Sequence, residues 1–232
     1  TLIHDDVVDD AHFRRGKFSV NNLWKNKIAV LVGDFLLSKG LAFGLKENDI
    51  NILLYTSMVV EKISEGEILQ MQKSRDLDIT DEDYYNIIKR KTGSLFGCCF
   101  QLAAVSNNIS SKKDLQNLYN IGVKIGTIFQ IKDDVLDYNS SSFTGKIMGN
   151  DLKESKINLP LLYTIKKVSF LERQKIFRIL KKNKINKEDI VYIHTLVIKN
   201  KGIKFATDKM KNLEKEIVSD LTIFPESEYK NA

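Results

Sequence analysis

Two stretches put carboxylates where they could hold a metal ion: Leu2-Ile3-His4-Asp5-Asp6-Val7-Val8-Asp9-Asp10 and Gln130-Ile131-Lys132-Asp133-Asp134-Val135-Leu136-Asp137. Both carry the pattern Asp-Asp-x-x-Asp. On a helix this spacing stacks Asp5 with Asp9, and Asp133 with Asp137, on one face. Carboxylates so stacked repel one another, which calls for a cation. Oxygen-only ligands with no Cys and no adjacent His pair suit a hard ion, and Mg2+ is commonly held by one or two carboxylates with substrate phosphates completing its shell. The pair of clusters therefore predicts a Mg2+ cage around a phosphorylated substrate. A single such motif would as readily be a solvated acidic helix face. Two copies, each inside an apolar helix, argue against that.

The elements that must position these clusters are helical throughout. With 43% hydrophobic residues, 28% charged, 2 Pro and 12 Gly in 232 residues, the composition suits one all-α domain over residues 1–232. No uninterrupted run of 18 apolar residues occurs, so no transmembrane segment is expected. Cys98 and Cys99 are sequence neighbours, too strained a pair for a disulfide framework, and the default compartment is a reducing, cytoplasmic one. The net charge of +6 includes a basic run from Lys166 to Lys187. It has no interleaved aromatics and no nucleic-acid motif, so it reads as a solvated helix face and no nucleic-acid partner is expected.

Along the chain, polar Ser19 to Asn22 caps a helix running to about Lys46. Its stretch Ile28–Leu37 is apolar nearly all round, which predicts burial between other helices, with Gly33 and Gly40 as close-packing points. Further helices are predicted up to about Gln72, from Thr80 to about Gly93, and from Ser111 into the second aspartate cluster. Residues 139–158 are polar and lack helical periodicity, which reads as a mobile active-site loop. From Pro160 onward the chain reads as shorter amphipathic helices broken near Val168-Ser169, Asn183–Lys187 and Gly202. No strand of period two is evident.

In this order, Asp5-Asp6-Val7-Val8-Asp9 with Arg14-Arg15-Gly16, Gly33-Asp34, Ser64-Glu65-Gly66-Glu67, Lys91-Thr92, Phe129-Gln130 with Asp133-Asp134-x-x-Asp137, Gly145-Lys146, Asp151-Leu152 and Leu159-Pro160 resemble the trans-isoprenyl diphosphate synthases of the polyprenyl synthetase family. The resemblance implies an isoprenoid synthase-type helical bundle around a deep central cavity, with the aspartate motifs on opposite walls. It also implies three Mg2+ ions, two on Asp5 and Asp9 and one on Asp133, with Asp6, Asp134 and Asp137 in support. The substrates implied are an allylic diphosphate, met by Arg14, and isopentenyl diphosphate, met by Arg15. Guanidinium forks suit phosphate. Lys91, Lys146 and Lys156 would add diphosphate contacts, and Thr92 and Gln130 would face the developing carbocation. A homodimer is implied as well.

The chain departs from the family pattern in several places. The Gly-Lys-Arg segment and the His of the isopentenyl diphosphate site precede the first motif and are not in this sequence, and the usual terminal helix is also absent. Ser155-Lys156 replaces Gly-Lys, and Asn158 stands where Thr is usual. The sequence therefore reads as a fragment of a synthase. Thr1, four residues before Asp5, is small where a bulky residue would floor the cavity, which favours a long-chain, octaprenyl-type product over a farnesyl or geranylgeranyl one. A noncatalytic subunit of a synthase heteromer should have lost metal ligands, and both sets are intact. A class I terpene cyclase would carry a different second motif. A di-iron bundle needs Glu-x-x-His, which none of His4, His12 and His194 completes. These histidines read as packing or surface residues, with His4 placed to steady Asp5.

Overall fold

The computed structural model describes residues 2–14, 16–47, 50–109, 111–138, 150–182 and 184–228. Thr1, Arg15 and Lys146 lie outside the described residues, as does 139–149, the first part of the expected loop. The chain divides into two compact units, residues 1–60 and 61–232.

The first unit begins with α1 (Leu2–Val8), followed by a minimal hairpin of β1 (Phe13–Arg14) and β2 (Lys17–Phe18). Phe13 pairs with Phe18 and Arg14 with Lys17, and the two rings pack 4.8 Å apart. Gly16 supplies the left-handed turn residue at φ 76°. Two-residue strands are too short to leave a period in the sequence, so this ladder is not among the expected elements. Next comes α2 (Val20–Lys46), which leaves helical angles at Lys25 (φ 67°). Gly33 packs against the imidazole of His4, whose Nε2 lies 3.2 Å from an Asp34 carboxylate oxygen. Gly40 faces open space, so only one of the two glycines is a packing point.

One expectation for α2 needs correcting. Only Ala29 and Gly33 are buried in the apolar stretch, and Leu31, Phe35 and Leu36 are exposed, because within this unit α1 is the element that covers it. The helix is also long and apolar enough to cross a membrane by length and composition. The expectation of no such segment required an unbroken run. A stretch interrupted only by Asp34 and Lys39 escapes that criterion, and the central helix of a bundle meets the looser one equally well.

The second unit contains the rest of α3 (Ile50–Asp76), α4 (Asp81–Ile88), a π-helical turn (Lys89–Gly93), α5 (Ser94–Ser106), α6 (Lys112–Leu136), α7 (Asn150–Lys153), α8 (Leu159–Lys167), α9 (Phe170–Leu180), α10 (Lys187–Lys199) and α11 (Gly202–Leu221). The caps explain the boundaries. Thr80 with Asp83, and Ser169 with Glu172, form reciprocal capping boxes. Ser111, Asn158 and Asn186 each accept from a backbone N–H in the first turn of the helix that follows. One core binds the unit, centred on Ile131, Leu152, Leu161, Ile176, Ile193 and Val197. The basic run lies on its outside: Lys166 pairs with Asp81, Lys182 pairs with Asp189, and Lys175 sits over the Tyr192 ring.

α5 and α6 cross at glycine. A methyl group on Gly122 would lie 2.7 Å from Gly97 Cα, and one on Gly126 would lie 2.8 Å from Gly93 Cα. The glycines are four apart on each helix, so they form two contacts along one shared face. This close approach fixes the distance between the π-turn and the C-terminal half of α6.

Candidate active site

In the first unit, Asp5 and Asp9 are one helical turn apart, with Asp9 N–H donating to Asp5 O at 2.8 Å. Both are half-buried, whereas Asp6 between them is buried. Arg14 reaches the same Asp6 carboxylate oxygen through Nε at 2.8 Å and a terminal nitrogen at 2.7 Å. That hydrogen bond, with the charges of Asp6, Asp5 and Asp9, raises the Arg14 pKa despite partial burial. The Asp6 backbone oxygen accepts from Asn21 Nδ2 and from Ala11 N–H. The middle aspartate thus ties α1 to the hairpin and α2, leaving its two neighbours closer to solvent.

The second cluster repeats the arrangement at the end of α6. Asp133 is half-buried, while Asp134 and Asp137 are buried. Asp134 Oδ2 accepts from the Tyr84 hydroxyl at 2.7 Å and from Leu159 N–H at 2.9 Å, and its Oδ1 accepts from Gln130 Nε2 at 3.4 Å. Burial pushes the Asp134 carboxyl up to about 7, against these hydrogen bonds, which favour the charged form. Burial, with Asp134 alongside, also holds the Tyr84 phenol well above its usual pKa, so it remains a donor.

A carboxyl whose folded pKa lies above its unfolded value binds more protons in the folded state, so its contribution to stability is present below about pH 4 and lost as pH rises toward 7. In metal-free buffer, wild-type protein is expected to lose more stability across that window than Asp134→Asn, by up to roughly 1.4 kcal/mol for each pH unit crossed. Urea unfolding of both proteins at several pH values measures the difference, and parallel profiles would contradict it.

The π-turn carries the next two candidates. Lys91 Nζ is 2.5 Å from Glu67 Oε2 and 3.2 Å from Gln70 Oε1, both on α3. The Thr92 hydroxyl donates to Gln130 Oε1 at 3.0 Å. An extra residue per turn rotates consecutive side chains relative to an α-helix, and π-turns are frequent at functional sites. Here the turn sends Lys91 toward α3 and Thr92 toward α6.

The segment beyond the undescribed residues is more ordered than expected. Residues 150–153 are helical, Leu152 is buried, and Asn158 bridges Asp151 Oδ2 (2.9 Å) and the Tyr138 hydroxyl (2.8 Å) while capping α8. Burial raises the Asp151 pKa, with Asp133 adding to the rise. Ser155 sits in the left-handed region at φ 55°, a conformation that favours Gly, and its hydroxyl donates to Leu180 O at 2.9 Å. Serine therefore occupies the backbone conformation that glycine takes readily, and Lys156 after it pairs with Glu154 at 2.6 Å.

The structure brings Thr92, Gln130 and Asp134 into one hydrogen-bonded chain, and Asp5, Asp6, Asp9 and Arg14 into another group. Among the described residues, no three His, Cys, Asp or Glu side chains form a ready-made metal cage. Oxygen-only sets of one or two carboxylates fit an ion that substrate phosphates would finish coordinating. Sequence reasoning missed Glu67, Gln70 and Tyr84. Glu67 lies inside a quoted motif, but its partner Lys91 is 24 residues away.

A sequence model of the polyprenyl synthetase family matches residues 1–197. Octaprenyl diphosphate synthase of Escherichia coli (strain K12) is 39% identical over 166 residues, which is 71% of this chain and 51% of that protein. A nonaprenyl diphosphate synthase of Rhodobacter capsulatus is 34% identical over 235 residues, covering 100% of this chain and 70% of that protein. The chain therefore spans from about half to 70% of the length of these relatives. Among solved structures, a polyprenyl synthase from Caulobacter crescentus, complexed with calcium and isoprenyl diphosphate, superimposes with a TM-score of 0.91 at 31% identity, over 99% of this chain and 70% of that one. The all-α isoprenoid synthase fold is shared, and the chain belongs to the polyprenyl synthetase family.

Proposed function

We propose that the protein is a trans-prenyltransferase that condenses an allylic diphosphate with isopentenyl diphosphate and elongates the chain head to tail, using Mg2+. The observation that carries this reading is the division of each aspartate cluster. Asp5, Asp9 and Asp133 are half-buried, while Asp6 and Asp134 are buried and bonded within the protein, which supports assigning the metal to the first three. Asp5 and Asp9 would hold two ions and Asp133 a third. Bound there, Mg2+ neutralises the leaving diphosphate so that the allylic C–O bond can ionise. Arg14, oriented by Asp6, keeps further N–H donors for the allylic diphosphate, and Arg15 is assigned to isopentenyl diphosphate. Lys91, Lys146 and Lys156 would add positive charge toward diphosphate, and Thr92 and Gln130, joined by a hydrogen bond, would face the developing cation. Attack by the isopentenyl double bond and loss of a proton to the released pyrophosphate would complete each round.

Relatives named for octaprenyl and nonaprenyl products support a long-chain product, although a short-chain synthase of Methanothermobacter thermautotrophicus is 34% identical over 185 residues. Residues 1–232 act as one synthase domain in this reading, with 139–158 as its active-site loop. A homodimer belongs to the reading too, and exposed Leu31, Phe35, Phe43 and Ile50 offer apolar surface for it. A reducing, cytoplasmic location belongs to the reading as well, with Cys98 and Cys99 as thiols. At its natural full length, the protein is expected to release pyrophosphate from farnesyl diphosphate and labelled isopentenyl diphosphate with Mg2+, giving prenyl chains well beyond geranylgeranyl. Absence of pyrophosphate release with every allylic primer would sink the reading, and products stopping at geranylgeranyl would overturn its long-chain part.

A further inference from the structure

We propose that Tyr84 and Asp134 are positioning residues that aim the side-chain amide of Gln130 at the reacting end of the substrate, an inference that rests on the synthase reading. Asp134 is buried among three elements and uses both carboxylate oxygens within the protein. Oδ2 takes the Tyr84 hydroxyl from α4 and the Leu159 N–H from α8, and Oδ1 takes Gln130 Nε2 one turn earlier on α6. An amide has one donor end and one acceptor end. With Nε2 held by Asp134, Oε1 is left facing Thr92, whose hydroxyl donates to it at 3.0 Å. The donations thus converge on Asp134, from Tyr84 on one side and from Thr92 by way of Gln130 on the other.

The orientation this gives the amide has a chemical consequence. A fixed carbonyl oxygen lowers the energy of positive charge developing beside it, whereas a flipped amide would present its N–H2 group and oppose that charge. Thr92, with its hydroxyl hydrogen engaged by Gln130, offers only lone pairs to the same space. The Tyr84 hydroxyl and Leu159 N–H hold the Asp134 carboxylate against rotation, and the carboxylate in turn holds the amide. The second aspartate of this motif then serves the cation rather than the metal. Gln130 would be the catalytic residue, with Tyr84 and Asp134 acting through it.

A double-mutant cycle on the full-length enzyme tests this, with Tyr84→Phe, Gln130→Ala and the combination assayed for kcat, KM and the Mg2+ concentration giving half-maximal rate. Losing one buried hydrogen bond should lower kcat about threefold to tenfold in Tyr84→Phe, with KM and Mg2+ requirement unchanged. In the Gln130→Ala background the same substitution should have almost no effect on kcat. An unchanged kcat in the single variant, an equal loss in both backgrounds, or a shifted Mg2+ requirement overturns the inference while leaving the synthase reading in place. A wild-type enzyme inactive with all primers overturns the reading itself. If Tyr84→Phe does not fold, Asp134→Asn enters the cycle in its place with the same expected and contrary outcomes.

Discussion

Asp5→Ala and Asp133→Ala, each made in the full-length protein, are expected to cut pyrophosphate release by about 100-fold or more while leaving the fold intact. The size follows from the role assigned to the metal. Charge stabilisation by a bound ion amounts to several kcal/mol at the transition state, and each 1.4 kcal/mol or so is a factor of ten. The intact fold follows from geometry. Both side chains are half-buried, and the bonds that Asp6 and Asp134 make within the protein stay in place in both variants. Asp6→Ala is therefore the instructive contrast, since it frees the Arg14 guanidinium and removes a buried carboxylate, so stability and activity should fall together. Asp208→Ala, on the exposed side of α11, should behave as wild type. Steady-state pyrophosphate release alongside urea unfolding separates these cases. Chelation with EDTA should abolish turnover in wild type and remove the residual turnover of Asp5→Ala as well, since Asp9 and Asp133 remain. An Asp5→Ala protein with undiminished turnover would remove the basis for placing metal at the first motif.

How much of this is legible in the chain depends on how far apart the interacting residues lie. Caps act within three or four residues, which is why Thr80, Ser111 and Pro160 mark helix starts in the sequence as they do in the structure. The metal motifs are legible for the same reason, each being a single helical turn. Tyr84 has the look of one more apolar residue of an amphipathic helix, because its partner Asp134 is 50 residues away and the bond exists only once α4 has packed on α6. Lys91 likewise resembles any helix-terminal lysine until α3 supplies Glu67 and Gln70. The π-turn leaves no local mark at all. A period expected to stop near Gly93 in fact passes through a widened turn into α5, with Gly93 and Gly97 packed closely on α6. Serine at position 155 suggests a changed backbone setting, whereas the structure shows it in the left-handed conformation with its hydroxyl bonded to Leu180.

Gly122→Ala should be among the most damaging single-methyl changes in the second unit, at about 3 kcal/mol of stability and with a further loss of turnover in protein that still folds. Overpacking commonly costs about 1–3 kcal/mol, at the upper end where nothing can yield. Here the obstacles are Gly97 Cα and N and the Phe96 carbonyl oxygen, all within 2.8 Å of the added carbon, and backbone has no rotamer to change. Relief must come from α5 and α6 moving apart. Thr92 is adjacent to Gly93, which meets Gly126 in the same crossing, and Gln130 is one turn beyond Gly126. Separation at the crossing therefore lengthens the 3.0 Å bond between Thr92 and Gln130 and loosens Asp133 on the same helix. Gly40→Ala in α2 serves as the opposite case. A methyl group there meets nothing within 4 Å, and Ala is the better helix former, so stability should rise by up to about 1 kcal/mol. Urea midpoints for the two variants, with kcat measured well below the unfolding range, test both halves. A Gly122→Ala protein within about 0.5 kcal/mol of wild type would mean that the crossing is compliant, and the link from helix packing to the Thr92–Gln130 distance would then have no support.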